Sequence, residues 1–367
     1  MAKDIRIGVI GVGMIGKSHI NTYRGIPGAK LVAVADVNEE EARKVAEANE
    51  IPDVFTDFRE LLEMKKLDAV DVCLHNNLHA PVTIAALEAG KHVYCEKPMA
   101  GSYVDAKRMV DTAEKTGRHL HIQLSTLYSK EHKTARRLIG EGHLGKLYYA
   151  RSYGFRRRGR VYVDGYGTPA FVQKDQSAGG AMYDMGVYHL AQVLDLLGNP
   201  TPLTISGATH QEIPMYEKQK KDSGYNVEEL GLGFVRLEGG ITLDIEESWA
   251  MHYDGSESSK VLGALGGLKL NPLKFFSQVG DVEFSADLDL GGTDFRWHRW
   301  VKDYDAYDGS QQHWVAALQG RVPLLDTAGI ALNVMLVSQG IYLSQELGRE
   351  VTAAQVLKAS KSTAVKL

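Results

Sequence analysis

The strongest constraint on how this chain folds is the alternation of short apolar runs and helix-periodic segments across its first 125 residues. Arg6–Ile10 reads as a short strand. Lys30–Asp36 (KLVAVAD) is β-branched and almost wholly apolar, the pattern of a strand buried on both faces. Ala69–Leu74, His92–Cys95 and His119–Ser125 repeat the pattern. Between them, Met14–Tyr23, Glu39–Asn49, Asp57–Met64, Pro81–Ala89 and Tyr103–Thr116 carry helical spacing. Asp57 suits an N-cap, and Gly90 and Gly117 fall where helix-ending glycines belong. Strands joined through helices run parallel, and a parallel sheet needs helices on both faces.

Gly11-Val12-Gly13-Met14-Ile15-Gly16 follows the first strand and opens the first helix. There Gly11 permits a tight turn, Gly13 lets a pyrophosphate approach the backbone, and Gly16 lets the helix pack closely on the strand. The helix start, with Met14 and Ile15 in its first turn, offers N–H donors and partial positive charge to phosphates. The chain has 38 glycines, so the spacing gains its weight from this context; a glycine turn without ligand is the alternative. Asp36 lies 20 residues beyond Gly16 at the end of the second strand. A carboxylate there accepts hydrogen bonds from an adenosine ribose and repels a 2′-phosphate. Val37 and Asn38 follow, with no arginine to receive that phosphate, so NAD is the expected cofactor and NADP is disfavoured. The alternative for Asp36 is a capping or surface role. Leu74, His75, Asn76 and His79, and then Glu96-Lys97-Pro98, sit just beyond strand ends, the edge at which open parallel sheets bind ligands. Pro98 biases Lys97 towards extended backbone and allows a cis bond.

The chain's 367 residues exceed the usual domain size, and its 44% hydrophobic and 24% charged content is that of a folded globular protein. A first domain of 1–125 and a second of 126–367 are expected. Lys plus Arg (42) nearly balances Asp plus Glu (46), which disfavours a dedicated nucleic-acid binder. No run approaches the roughly 20 apolar residues of a membrane span. The opening MAKDIRIGVIG enters a strand directly, without a signal pattern. Cys73 and Cys95 are too few for a disulfide framework and read as free thiols of a reducing compartment. The expectation is a cytoplasmic protein with neither nucleic acid nor membrane as partner. No H-E-x-x-H and no zinc-type Cys/His spacing occurs, so no metal site is expected. His119 and His121 share one side of a strand and read as packing.

At Glu96-Lys97-Pro98 the sequence resembles the glucose-fructose oxidoreductase / inositol dehydrogenase / rhizopine catabolism (Gfo/Idh/MocA) family. The resemblance rests on GVGMIG, Asp36, Asn76 with His79, AGKHVYCEKPMA (Ala89–Ala100), EGHLGKL (Glu141–Leu147), GGAMYDMGVYH (Gly179–His189) and the region around His313–Pro323. It implies an α/β fold: an N-terminal Rossmann domain, then an α+β domain with an open, mostly antiparallel sheet that binds substrate and joins subunits into homodimers or homotetramers. After Ser125 the sequence is consistent with this. Glu131–Gly140 is helical, Leu147–Phe155 is a long strand and Ala181–Leu197 is a helix. Strand-like runs follow at Leu203–His210, Val227–Leu237, Ile241–Trp249 and Val261–Leu265, then helical patterns from Gln311 to Leu347.

The resemblance also assigns roles. The cofactor contacts would come from Gly11, Gly13, Met14, Ile15, Gly16, Asp36, Leu74, His75, Asn76, His79, Glu96, Lys97 and Gln123. Lys97 would hold the reacting hydroxyl, and Asp184 and position 188 would supply a carboxylate and an acid/base. Many relatives carry histidine at that last position; here it is Tyr188, with His189 next. In an α-helix residues 184 and 188 share a face and 189 is turned about 100° away, which favours Tyr188 over His189. A phenol with a pKa near 10 would need help from Lys97 and the nicotinamide cation. The alternative for His189 is a packed helix histidine.

Arg156-Arg157-Arg158-Gly159-Arg160 and the residues to Tyr166 lie where the family lines its substrate pocket. Arg158, Tyr162, Asp164 and Tyr166, with Lys97, Asp184 and His189, are the candidate substrate contacts; polar and aromatic groups suit a sugar or polyol. The arginines could grip an anion or form a solvated or intersubunit patch. His75 could touch the nicotinamide side or substrate, or be a polar strand-end residue. The expected activity is NAD-dependent oxidation of a ring secondary hydroxyl of a sugar, glycoside or cyclitol to a ketone or lactone. An NAD-dependent redox glycosidase and a non-catalytic nucleotide-binding sensor are the alternatives.

Overall fold

A computed structural model describes residues 3–367. The first unit runs β1 (Ile5–Ile10), α1 (Met14–Arg24), β2 (Ala29–Ala35), α2 (Glu39–Ala48), β3 (Asp53–Phe55), α3 (Phe58–Leu62), β4 (Ala69–Val72), α4 (Asn76–Glu88), β5 (His92–Cys95), α5 (Tyr103–Thr116) and β6 (Leu120–Ile122). The six strands form one parallel sheet in the order β3-β2-β1-β4-β5-β6. The strand order reverses between β1 and β4, so the carboxyl ends of these strands open a ligand crevice beside the glycine turn. Local signals set the helix ends. Asn38 and Asp57 accept backbone N–H bonds as N-caps, and Gly117 closes α5 in left-handed conformation.

One boundary departs from expectation. Helix α4 begins at Asn76, five residues before the proline expected to open it. Pro81 has no N–H for the carbonyl of Asn77, and the Val365 amide of the C-terminal segment donates to that carbonyl instead at 3.2 Å. A contact made by the far end of the chain supports a start that local sequence disfavours.

The second unit continues with α6 (Lys130–Gly140), β7 (Leu147–Phe155), α7 (Lys174–Ser177), α8 (Val187–Leu196), β8 (Pro202–His210), α9 (Glu217–Ser223), β9 (Leu230–Leu237), β10 (Ile241–Ser248), β11 (Lys260–Gly263), β12 (Gly266–Lys269), β13 (Lys274–Val279), β14 (Val282–Asp287), α10 (Leu290–Trp300), α11 (Ser310–Leu318), α12 (Thr327–Leu347), β15 (Val351–Thr352) and α13 (Ala353–Ala359). Its nine-stranded sheet has the order β14-β13-β12-β11-β7-β10-β9-β8-β15. Every pairing is antiparallel except β7 with β10. Strands β12–β14 were not foreseen. Val282–Asp287 is mostly exposed on both faces and carries no two-residue alternation to read.

Helices α8 and α12 cover one face of this sheet, and α12 also packs on α5 and β6, so one apolar core runs through both units. Contrary to the sequence reading, one segment does have the length and apolar content of a membrane span: Thr327–Leu347, 21 residues. It is largely buried between the two units, where apolar sides all round are needed. The helical pattern of Gln311–Leu347 is not continuous; Gln319–Asp326 separates α11 from α12, with Gly320 in left-handed conformation.

Candidate active site

The glycine turn has the shape a pyrophosphate requires. Gly11 has φ +94°, and a Cβ there would strike the Cys73 carbonyl; one at Gly16 would strike the Gly11 carbonyl. A Cβ at Gly13 would meet nothing within 4 Å, so that stretch of backbone lies open. Helix α1 starts without a side-chain cap or an acidic residue in its first turn, which leaves its N–H groups and dipole unanswered. Met14 (82% exposed) and Ile15 flank the open side. Asp36 at the end of β2 accepts from the Val12 amide at 2.8 Å and the Asn38 amide at 2.9 Å. Its half-buried carboxylate is thus fixed beside the turn, and exposed Val37 and Asn38 offer no cation for a 2′-phosphate. These residues fit NAD.

Not every expected cofactor contact faces this crevice. His79 is fully buried, with ring nitrogens 2.7 Å from the Pro98 carbonyl and 3.0 Å from the Leu74 carbonyl. It ties the loops after β4 and β5 together from behind, and burial lowers its pKa despite those carbonyls. Asn76 donates to the Ser177 carbonyl at 2.9 Å, across to the second unit. Glu96 is buried and turned to His19 and to the Lys97 amide. Leu74 lies against Gly11, and His75 is exposed at the start of α4. Gln123 accepts from the Tyr188 hydroxyl at 3.4 Å.

The Lys97–Pro98 peptide is cis. Lys97 Nζ donates to the Asp184 carbonyl at 2.9 Å and to its Oδ1 at 3.0 Å, 4.9 Å from the Tyr188 ring centroid. Burial opposes the charged ammonium, but Asp184, Tyr188 and Glu96 outweigh it and raise the Lys97 pKa. Burial likewise opposes Asp184 ionisation. Lys97 first, then Arg156 and the Trp249 indole (Nε1 to Oδ2, 3.0 Å), reverse this and hold the carboxyl below its ordinary range. Arg156 Nη1 stands 3.7 Å from Asp184 Oδ2.

The second-unit helix departs from expectation where chemistry is concentrated. Met182–Gly186 forms a π-helical turn ahead of α8. Bonding i to i+5 puts an extra residue into the turn, so the α-helical rotation between residues 184 and 189 does not hold across it. His189 Nδ1 lies 2.9 Å from Glu247 Oε2 on β10, and Glu247 Oε1 accepts from Ser152 on β7 at 2.7 Å. Gly154 makes room, since a Cβ there would collide with both the imidazole and Glu247. Burial favours the neutral ring, but Glu247 outweighs it and raises the His189 pKa. Burial, with Glu96 and Asp184, also raises the Tyr188 pKa; Lys97 and His19 only partly offset this, so the phenol is held protonated at neutral pH.

Three expected substrate contacts are turned to other work. Asp164 accepts from Arg160 Nε at 2.9 Å, and Arg160, wholly buried, also donates to Glu229 at 2.9 Å and to the Ile213 carbonyl at 2.8 Å. This sealed pair holds the 156–166 loop, and Arg160 is no surface cation. Arg158 points to Pro214 and lies over Tyr216, away from Asp184. Tyr162 packs on the apolar cluster around Trp249 in left-handed conformation. Tyr166 is exposed, bonded to Arg156 and to the Gly159 carbonyl. Trp249 and Glu247 were missed by sequence reasoning, and Arg156 was read only as one of a cationic run. Glu247 had a signal: Leu243, Ile245 and Glu247 share the inward face of β10, where a carboxylate needs a partner.

A parallel sheet with an open glycine turn, a fixed ribose-type carboxylate and a lysine–aspartate pair at the strand ends defines an NAD-binding oxidoreductase. The profile described as "Oxidoreductase family, NAD-binding Rossmann fold" matches residues 5–124, and that of the "GFO/IDH/MocA C-terminal domain" matches 132–269. The chain belongs to the Gfo/Idh/MocA oxidoreductase family. It is 27% identical over 358 residues to D-glucoside 3-dehydrogenase of Escherichia coli, covering 95% of this chain and 98% of that protein. It is 34% identical over 147 residues to myo-inositol 2-dehydrogenase of Thermotoga maritima, covering 40% of this chain and 44% of that protein. Levoglucosan dehydrogenase, solved with NADH and levoglucosan, superposes with a TM-score of 0.79 at 20% identity, over 96% of this chain and all of that one.

Proposed function

We propose that this protein oxidises a ring secondary hydroxyl of a glucoside or related polyol, with Lys97 at the reacting oxygen and His189 as the proton acceptor. The observation that carries the reading is the Lys97 ammonium, held by Asp184 at the strand-end edge beside the open glycine turn, with the His189–Glu247 pair on the adjoining helix face. The full-length similarity to D-glucoside 3-dehydrogenase supports the substrate class. When bound, NAD supplies the hydride acceptor. Glu247 fixes His189 Nδ1 as a donor and leaves Nε2 to accept the hydroxyl proton. Lys97 stabilises the oxyanion that forms, and Asp184 fixes Lys97. Tyr188 covers the ammonium with its ring, and Arg156 and Tyr166 stand at the mouth, where hydroxyls need donors and acceptors. The outer face of the second sheet, with exposed Leu203 and Phe234, is the surface through which a second copy would dock.

The test is a panel of glucosides, free aldoses and inositols, followed by NADH absorbance with NAD and NADP in parallel. Net NADH formation without glycosidic cleavage is expected, with NAD preferred. Lys97→Ala should keep NADH affinity and lose about a thousandfold in kcat. Unchanged turnover in that variant removes Lys97 from the chemistry, and cleavage without net NADH points to the redox glycosidase.

A further inference from the structure

Behind Lys97, on the side away from substrate, lies a buried charged cluster that the reaction does not use. His19, on the inner face of α1, has Nδ1 2.9 Å from Asp71 Oδ2 at the end of β4 and Nε2 2.9 Å from Glu96 Oε1 after β5. The other Glu96 oxygen accepts the Lys97 amide at 3.0 Å. We propose that His19 is a positioning residue of the active site: clamped between Asp71 and Glu96, it locks the glutamate that receives the Lys97 amide and so sets where the Lys97 ammonium sits.

An imidazole with a carboxylate on each nitrogen donates from both, so His19 is an imidazolium. Its surroundings agree: burial opposes the charge, but Asp71 and the other partners outweigh it and raise the pKa far above the ordinary value. Several elements surround it, and Tyr188 on α8 and Cys95 on β5 also lie within reach of its charge. Tyr23 comes from its own helix; Asp71 and Cys73 Sγ (3.3 Å from Nδ1) come from the β4 end; Tyr94 (edge-on, 5.7 Å between centroids) and Glu96 come from β5. From α11, the uncharged Gln311 donates to the His19 backbone carbonyl at 3.2 Å. Imidazole, carboxylate and thiol together are ligand types for a cation, but both imidazole nitrogens are committed to carboxylates and no lone pair is left for one. What the cluster makes is a line of alternating charge: Asp71, His19, Glu96, Lys97, Asp184, Arg156. In a low-dielectric interior each member fixes the next, and losing one leaves its neighbour uncompensated. The glycine turn's own helix is thereby tied to the ammonium that meets the substrate.

The inference rests on Lys97 working at the reacting hydroxyl, so the test includes a readout independent of turnover. In His19→Gln, kcat should fall about tenfold or more, since small misplacements of a catalytic group cost that much. NADH affinity, by fluorescence titration, should change less than about threefold. Glu96→Gln added to His19→Gln should recover part of kcat by removing the orphaned carboxylate. Separately, labelling of Lys97 by an amine reagent, read by peptide mass spectrometry against exposed Lys44, should be about threefold faster in His19→Gln as the ammonium loosens from Asp184. Unchanged labelling overturns the proposal, as does a kcat loss matched by an equal loss of NADH affinity, which would make His19 a mere prop for the glycine turn. If the wild-type protein oxidises no polyol, the functional reading fails, while labelling still decides whether His19 sets Lys97.

Discussion

Two adjacent side chains, Tyr188 and His189, show how much the environment of a group matters at the scale of the residue. By chemistry alone both can carry a proton. Burial and the nearby carboxylates raise the Tyr188 phenol further above an already high pKa, which removes it as a base at neutral pH. His189 is raised too, but from an ordinary value near 6.5, by its ion pair with Glu247. Oxidation needs the neutral imidazole, so activity is lost as pH falls through a pKa that lies above 6.5. A pH–kcat profile in the oxidative direction should therefore rise through that pKa. Glu247→Gln should move this limb to lower pH and reduce kcat about tenfold by loosening the ring. Tyr188→Phe should leave the limb in place; its disappearance there would return the proton to the phenol. The same scale explains Arg160. Four arginines within five residues look solvated in sequence, yet one of them is sealed against Asp164 and Glu229.

At the scale of the element, the glycine turn and the π turn are the devices that matter. The three glycines of the turn differ in what they do. Gly16 and Gly11 are required by the fold, because a Cβ at either would overlap a backbone carbonyl; Gly13 faces open space. Gly13→Ala should thus keep the wild-type melting temperature and weaken NADH binding about tenfold or more, by obstructing the phosphates. Gly16→Ala should lower stability as well, by about 2 kcal/mol, from strain between α1 and β1. Equal melting temperatures for the two variants would refute this division. The spacing of the motif was legible in sequence. The division of labour needed the loop after β4, whose Cys73 carbonyl is what forbids a side chain at Gly11. The π turn had no signal: Asp184 and Tyr188 read as one face of an ordinary α-helix with His189 turned away, whereas Glu228, buried and bonded to the Gly180 and Met182 amides, holds the start of a π turn.

For the whole molecule, the C-terminal segment ties the far end of the chain back to the first unit. Buried Asp105 on α5 accepts from Ser362 Oγ at 2.7 Å, the Thr363 amide at 2.9 Å and Ser102 Oγ at 2.7 Å. Asp105→Ala leaves those donors without their acceptor. It should cost about 2 kcal/mol and lower the melting temperature by several degrees, with kcat unchanged. A melting temperature equal to wild type would show that the segment contributes nothing to stability. Helix α12 belongs to the same scale. Its apolar content passes for a membrane span until its neighbours, the second sheet on one side and α5 and β6 on the other, are in place.

That Lys97 and Asp184, 87 residues apart, serve one site came from the family resemblance; the sequence by itself determined the parallel α/β sheet, the glycine turn and the NAD-type aspartate. Each of these last three is written in residues a few positions apart, and local periodicity and backbone sterics need nothing more distant to be read. Only the tertiary structure decided which nearby groups serve the site. His189 gains its carboxylate from a strand 58 residues away, Asp164 is taken from the substrate by a buried arginine, and Arg156 rather than Arg158 reaches the aspartate. Those outcomes depend on burial and on partners brought together across the fold, and a charge's behaviour follows from what surrounds it, which no local stretch of sequence contains.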